Sequence, residues 1–267
     1  MNHLKTFFTN STKTAGRITN GIYILLRIIV VVMLADQLWN QHWGNTLLLL
    51  LTLVLFEIPY FLEKILKIQI PNMLEIILLS FIFSSTVLGE LSDFYGYFSI
   101  WDTVLHGLSG FLAGGVGFSL VYLLNKNTRT MNLTPLLLAL VSFCFSMTVG
   151  VMWEFVEFSA DRFLQFDMQK DSIVQQINSV KLSEDGNTVY SVEDITRTVI
   201  ESQTENGKTK KTVIENGYLD IGVIDTMKDL FVNFIGAVVF SIFGYLYSLN
   251  DYKKFTFIRN FIPRKAK

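Results

Sequence analysis

Three apolar stretches of this chain each carry polar, mostly ionisable residues at helical spacing: Asp102 and His106; Glu154, Glu157 and Asp161; Asp225, Asp229 and Asn233. In a helix, residues i and i+4 share one face about 6 Å apart along the axis, with i+3 beside them. Each stretch therefore presents its polar residues as one stripe. A carboxylate costs roughly 2.5–3.5 kcal/mol at the centre of a membrane helix and less toward its ends. A chain that gathers several of them is building a site or a buried network. An imidazole with carboxylates suits Zn²⁺, Mn²⁺ or Fe²⁺, and carboxylates with an Asn also suit Mg²⁺ or Ca²⁺. On this reading Asp102, His106, Asp225 and Asp229 are the metal ligands, with Zn, Mn or Mg as the divalent metal. Glu154 and Glu157 are then free for general-base work on a metal-activated water. Glu90, Asp93, Asp161, Asp220 and Asn233 support the constellation.

Other readings stay open beside this one. A hydrogen-bonded network without metal, or a proton or ion pathway, would use the same residues. Asp102 or Asp225 alone fits a helix N-terminus, where the dipole favours an anion, but His106 and Asp229 lie a turn deeper. Glu154 and Glu157 sit near the C-terminal end of their helix and oppose its dipole. Gly107-Leu108-Ser109-Gly110 matches the Gly-x-Ser-Gly pattern of rhomboid proteases. A serine nucleophile needs a base, and the membrane imidazole available, His106, precedes Ser109 on the same helix, whereas rhomboids supply it from another; serine protease chemistry is disfavoured. Arg27 and Glu57 are expected to be structural and at opposite depths, with Arg27 reaching Asp36 or another helix. His3 and His42 are expected to be solvated.

The elements that position these residues follow from hydropathy. The chain has 267 residues, 51% hydrophobic, with four prolines and a formal net charge of -1. Its mean hydropathy is +0.41. That composition is a membrane protein's and gives no charge-based reason to expect nucleic acid. Cys144 is the single cysteine, which excludes an intramolecular disulfide or a Cys-based metal site. Apolar runs predict spanning helices over 21–39, 46–63, 72–90, 102–124, 134–160 and 225–249. The first run lacks a small-residue cleavage site, so no cleavable signal peptide is expected. Pro59 and Pro71 fall near helix ends and Pro135 in a first turn, where a missing N–H costs little. Gly107, Gly110, Gly114 and Gly115 on one helix, with Gly236 and Ala237 on another, allow close backbone approach.

Lys and Arg set the expected orientation. They occur before residue 20 (Lys5, Lys13, Arg17), at Lys64 and Lys67, at Lys126 and Arg129, and throughout the tail from Lys253 to Lys267. The loops 40–45 and 89–101 have none. Both termini are therefore expected in the cytoplasm: 1–20 as a cytoplasmic segment, 21–160 as helices one to five, 161–224 as an extracytoplasmic insertion, 225–249 as helix six, and 250–267 as a basic cytoplasmic tail. Asp102, Glu154, Asp161 and Asp225 then share the outer membrane face. The tripeptides starting at Asn10 and Asn132 match glycosylation acceptors but fall on the inner side. Within the insertion, Glu184-Asp185-Gly186-Asn187 and Asn206-Gly207-Lys208 each divide two β-rich runs, which predicts two hairpins. The expected fold class is an all-α polytopic membrane protein of six transmembrane helices, with a small extracytoplasmic β-containing insertion between helices five and six.

Glu90-Leu91-Ser92-Asp93-Phe94-Tyr95, Trp101-Asp102 through Ser109-Gly110, Trp153-Glu154-Phe155-Val156-Glu157 and Asp225-Thr226-Met227-Lys228-Asp229 resemble the YjdF type of bacterial membrane protein. Their order is also similar to VanZ-like proteins, associated with glycopeptide resistance, where the position of Glu157 is commonly Gln. The resemblance covers about 90–240 and implies a bacterial cytoplasmic membrane. The residues together lead to a membrane-embedded protein with a carboxylate/His site at the outer face, a metal-dependent hydrolase or transferase on a lipid or cell-wall precursor. The alternatives are a small-solute or ion-coupled transporter, and a non-enzymatic envelope-stress or antibiotic-resistance membrane protein. One-sided clustering of the polar residues, without broken helices or inverted repeats, argues against the transporter.

Overall fold

The computed structural model of the protein describes residues 17–127, 133–249, 256–262 and 264–265. His3, Lys5, Lys13, Arg129, Lys253, Lys254, Lys267 and the tripeptides at Asn10 and Asn132 lie wholly or partly outside them. In chain order the helices are α1 (Arg17–Trp39), α2 (Trp43–Leu55), α3 (Ile58–Leu66), α4 (Asn72–Phe83), α5 (Phe94–Tyr97), α6 (Trp101–Asn127), α7 (Pro135–Leu164) and α8 (Val223–Leu249). A π-helix, Ser84–Leu91, continues α4. Among the described residues, six helical segments are long and apolar enough to cross a membrane: Ile18–Trp39, Trp43–Ile65, Asn72–Leu91, Trp101–Tyr122, Pro135–Leu164 and Val223–Leu249.

The second span is two helices. Pro59 lies in the first turn of α3, where it costs least, and its ring cannot follow the carbonyl of Leu55 in an unbroken helix. The chain divides into two compact units, residues 1–151 with 231–267 and residues 152–230. In the first, Tyr23, Val30, Leu49, Phe56, Leu79 and Val87 make one apolar core. Leu74, Leu112, Phe118, Leu138, Phe240 and Tyr247 make another.

Arg27 and Glu57 do not sit at opposite depths. They form an ion pair, the Tyr23 hydroxyl donates to Glu57 Oε1 at 3.0 Å, and the guanidinium stacks 4.5 Å above the Tyr23 ring. Arg27 is almost wholly buried; Asp36 instead accepts from Gln37 and Asn40.

The second unit contains the end of α7, the insertion and the first turns of α8. Helix α7 runs to Leu164, so the insertion starts after 164 rather than at 161. Short antiparallel pairs link Ile173–Val174 to Tyr218–Leu219, and Ile177–Ser179 to Tyr190–Val192. The longest hairpin pairs Arg197–Gln203 with Thr209–Glu215 across seven residue pairs. Gly207 makes its turn with φ +69°, a backbone region that glycine enters without steric cost. In the other loop, one Asp185 oxygen accepts from Asn187 N, Thr188 N and the Ser183 hydroxyl, which holds its carboxyl well below the usual range; backbone donors are the largest cause.

Candidate functional site

In the first unit, α6, α7 and α8 meet at Asn233. This side chain is only 2% exposed, and its Nδ2 donates to Met147 Sδ at 3.6 Å. A Cβ on Gly110 would lie 2.3 Å from the Asn233 carbonyl oxygen, and one on Gly150 2.4 Å from Asn233 Nδ2. Gly236 comes so close to α6 that its Cβ would sit 2.2 Å from the Gly107 oxygen. The glycines let the backbones touch, and hydroxyls seal the contact: Ser146 Oγ donates to Gly110 O, and Ser142 Oγ to Gly114 O, each at 2.7 Å. Lone pairs that hydrocarbon could not satisfy are thereby used.

One turn before Gly110 is His106, and one turn before that Asp102. His106 Nε2 lies 3.4 Å from Asp102 Oδ1, with both side chains mostly buried. The Ser109 hydroxyl donates to His106 O at 2.8 Å, the usual bond of a membrane serine to its own helix, and so is turned to the backbone. Trp101 anchors the start of α6: its indole N–H donates to Ser84 O at 3.3 Å, and its ring meets Phe94 edge-on. The π-helix carries this contact; Ser92 N reaches Val87 O five residues back, and the widened turns expose carbonyls that an α-helix would cover. Sequence reasoning missed this element. Its signal was the weak helix formers Ser84, Ser85, Thr86 and Gly89 at the end of an apolar run.

Glu90 and Asp93 are exposed. Asp93 adopts φ +56° and caps the short α5, its carboxylate lying where a side chain on Gly96 would be. Asp93 acts at the turn leading to α6, and Glu90 lies in the π-helix before it.

In the second unit the end of α7 is inverted relative to a soluble helix. Glu154, Glu157 and Ala160 are its buried positions, while Phe155, Val156 and Phe158 are more than half exposed. Membrane helices put apolar residues toward lipid and carry ionisable ones inside. Glu157 Oε1 accepts from Trp153 Nε1 at 2.7 Å. On α8, Asp229 is 1% exposed and stands one turn before Asn233 on the same unbroken helix.

The remaining acidic residues hold the insertion. Asp161 accepts from the backbone N–H of Met168 at 2.6 Å and Gln169 at 2.9 Å, folding the chain back on the end of α7. Asp225 Oδ2 accepts from Lys170 N at 2.9 Å. Asp220 accepts from Ser172, Ile224 and Gly222 N–H groups, bridging the two ends of the insertion and capping α8. Burial works against its charge, but these three donors together prevail and hold the Asp220 carboxyl below the usual range. Asp171 is shifted up, by burial first and then by Asp167, Asp220 and Asp161 nearby. Asp225, expected as a ligand, is thus engaged with backbone and lies 3.9 Å from Lys228.

The family described as "Predicted membrane protein (DUF2238)" matches residues 21–250. The chain belongs to this family. It is also similar to an uncharacterized protein of Thermotoga maritima, with 31% identity over 113 residues, 42% of this chain and 57% of that one. The chain thus spans little more than half the length of that relative. No solved structure matches it.

Proposed function

We propose that this membrane protein binds a divalent cation between α6, α7 and α8 and uses it as a hydrolase or transferase on a lipid or cell-wall precursor. The observation that carries the reading is the meeting point at Asn233. One turn beyond it, each helix bears a buried or largely buried ionisable residue: His106 before Gly110, Glu154 after Gly150, Asp229 before Asn233. Asp102, His106 and Asp229 each have a donor atom to offer. One imidazole with two carboxylates is a donor set for Zn²⁺ or Mn²⁺, and carboxylates from facing helices are a general way to build such sites in bundles.

A bound cation would polarise a phosphoryl or carbonyl oxygen and acidify water. Glu154 is the residue suited to take the proton, with Glu157 held in place by Trp153. Asp225 leaves the ligand set, and Asp161 and Asp220, expected only to support it, take the structural roles described above. Loop charges support an outer-face address in a bacterial cytoplasmic membrane with both termini inside. Family membership is compatible with the YjdF-type and VanZ-like resemblance, and through it with an envelope substrate.

The test is metal content of the purified protein against an Asp102→Ala/His106→Ala variant. The proposal expects near-stoichiometric Zn or Mn in the parent and loss in the variant. Negligible metal in both, after purification without chelator and with added metal, leaves a hydrogen-bonded network as the account of these residues.

A further inference from the structure

We infer that the C-terminal segment around residues 256–265 is an intramolecular plug that closes one end of α4, α6 and α8 within the first unit. The sequence reads this stretch as a basic tail, yet Ile258, Phe261 and Ile262 are buried members of the bundle core. Phe261 sits edge-on to Phe111 at 5.5 Å and to Phe240 at 6.1 Å between ring centroids. Phe111 is ten residues into α6, so the segment enters the bundle rather than lying across its end.

Two polar contacts fix it there. Ser119 Oγ donates to Phe261 O at 3.0 Å as well as to Gly115 O. The strand Arg264–Lys265 pairs antiparallel with Ile68–Gln69, the connection between α3 and α4. Non-helical backbone at membrane depth is tolerated only where protein satisfies and covers it, and both conditions are met. The attachment is nevertheless slight in kind: one short 3₁₀ turn, a two-residue strand pair and a few apolar side chains. Arg259, next to the buried Ile258, is exposed within the turn. Its removal would bare the faces of Phe111 and Phe240 that Phe261 covers.

The experiment uses the full chain with Cys144→Ser and a single reporter, Ser119→Cys, treated with a membrane-impermeant maleimide in permeabilised proteoliposomes. Labelling is expected to be at least tenfold slower than in the same chain carrying Ile258→Asp and Phe261→Asp, which drive the segment out. A reporter at Leu49→Cys, in the other core, should stay unlabelled in that charged variant. Equal rates at Ser119→Cys with and without the charges overturn the plug. So does labelling at both reporters, which makes the segment a general support of the fold. Independently, Gln69→Cys with Arg264→Cys should form a disulfide on mild oxidation in native membranes. Failure to cross-link overturns the proposal whatever the labelling shows.

Discussion

Replacing Gly110 with Ala tests the three-helix contact directly. The new Cβ would stand 2.3 Å from the Asn233 carbonyl oxygen, against the 3.4 Å at which ordinary contact begins, so α6 and α8 must part by about 1.1 Å. The obstruction is backbone, which cannot rotate away as a side-chain tip can. Forcing extra carbon into a close-packed interface costs about 1–3 kcal/mol. Helix propensity returns about 0.8–1.0 kcal/mol on Gly→Ala, leaving a net loss of up to about 2 kcal/mol. Gly21 supplies the control, because a Cβ there meets nothing within 4 Å. Gly21→Ala should therefore be neutral or stabilising. Equilibrium unfolding of the purified protein in mixed micelles measures both. On the proposed cation binding, metal retention should also fall with Gly110→Ala and not with Gly21→Ala. If both variants unfold alike, the helices are not in backbone contact at this level and the positioning of His106 argued from it fails.

Four further outcomes follow from the same structure. Arg27→Met should destabilise by about 3 kcal/mol, the lower side of the range for a broken buried pair, since the Glu57 side chain is 29% exposed. The double change Arg27→Met/Glu57→Gln should recover part of that loss in the same unfolding assay; a double variant no better than the single one contradicts a specific pair. Tyr23→Phe removes one hydrogen bond to Glu57 and should cost roughly 1.5 kcal/mol by thermal melting. The depressed Asp220 carboxyl contributes stability that is fully present above the ordinary Asp value, about 3.9, and is lost as pH falls through its lower folded value. Protease resistance of the insertion should fall in that acid window in the parent, and Asp220→Asn should lower it at neutral pH as well. The raised Asp171 carboxyl works in the opposite sense: its charge opposes folding at neutral pH, so Asp171→Asn should leave the insertion equally or more resistant.

Which ionisable residues are buried was partly legible in the sequence, because an ionisable residue in an apolar run leaves a strong chemical trace. Asp229, Glu154 and Glu157 stand out in the sequence as costly residues in apolar runs, and all three are buried. Asp161 and Asp225 carried the same signal in type and spacing, yet their oxygens, like those of Asp220 in the insertion, are taken by the backbone of Met168, Lys170, Ser172 and Ile224. Spacing along a helix cannot distinguish a carboxylate that faces another helix from one that receives a returning loop. Arg27 and Glu57 were misplaced for a different reason: each lies about six residues from the end of its span remote from the 40–45 loop, so two antiparallel spans already set them at one depth, and their ion pair follows.

The sequence by itself determined six apolar spans, the polar stripes on α6, α7 and α8, and hairpin turns at Asp185-Gly186 and Asn206-Gly207. All of these are local: hydrophobic run length, helical period and turn chemistry act within a few residues. Tertiary structure alone decided the π-helix that receives Trp101, the Arg27–Glu57 pair, and the return of Phe261 to the Phe111–Phe240 cluster. Each of these joins residues far apart in the chain, and whether they meet depends on packing and on which carbonyl or carboxylate is left to be satisfied.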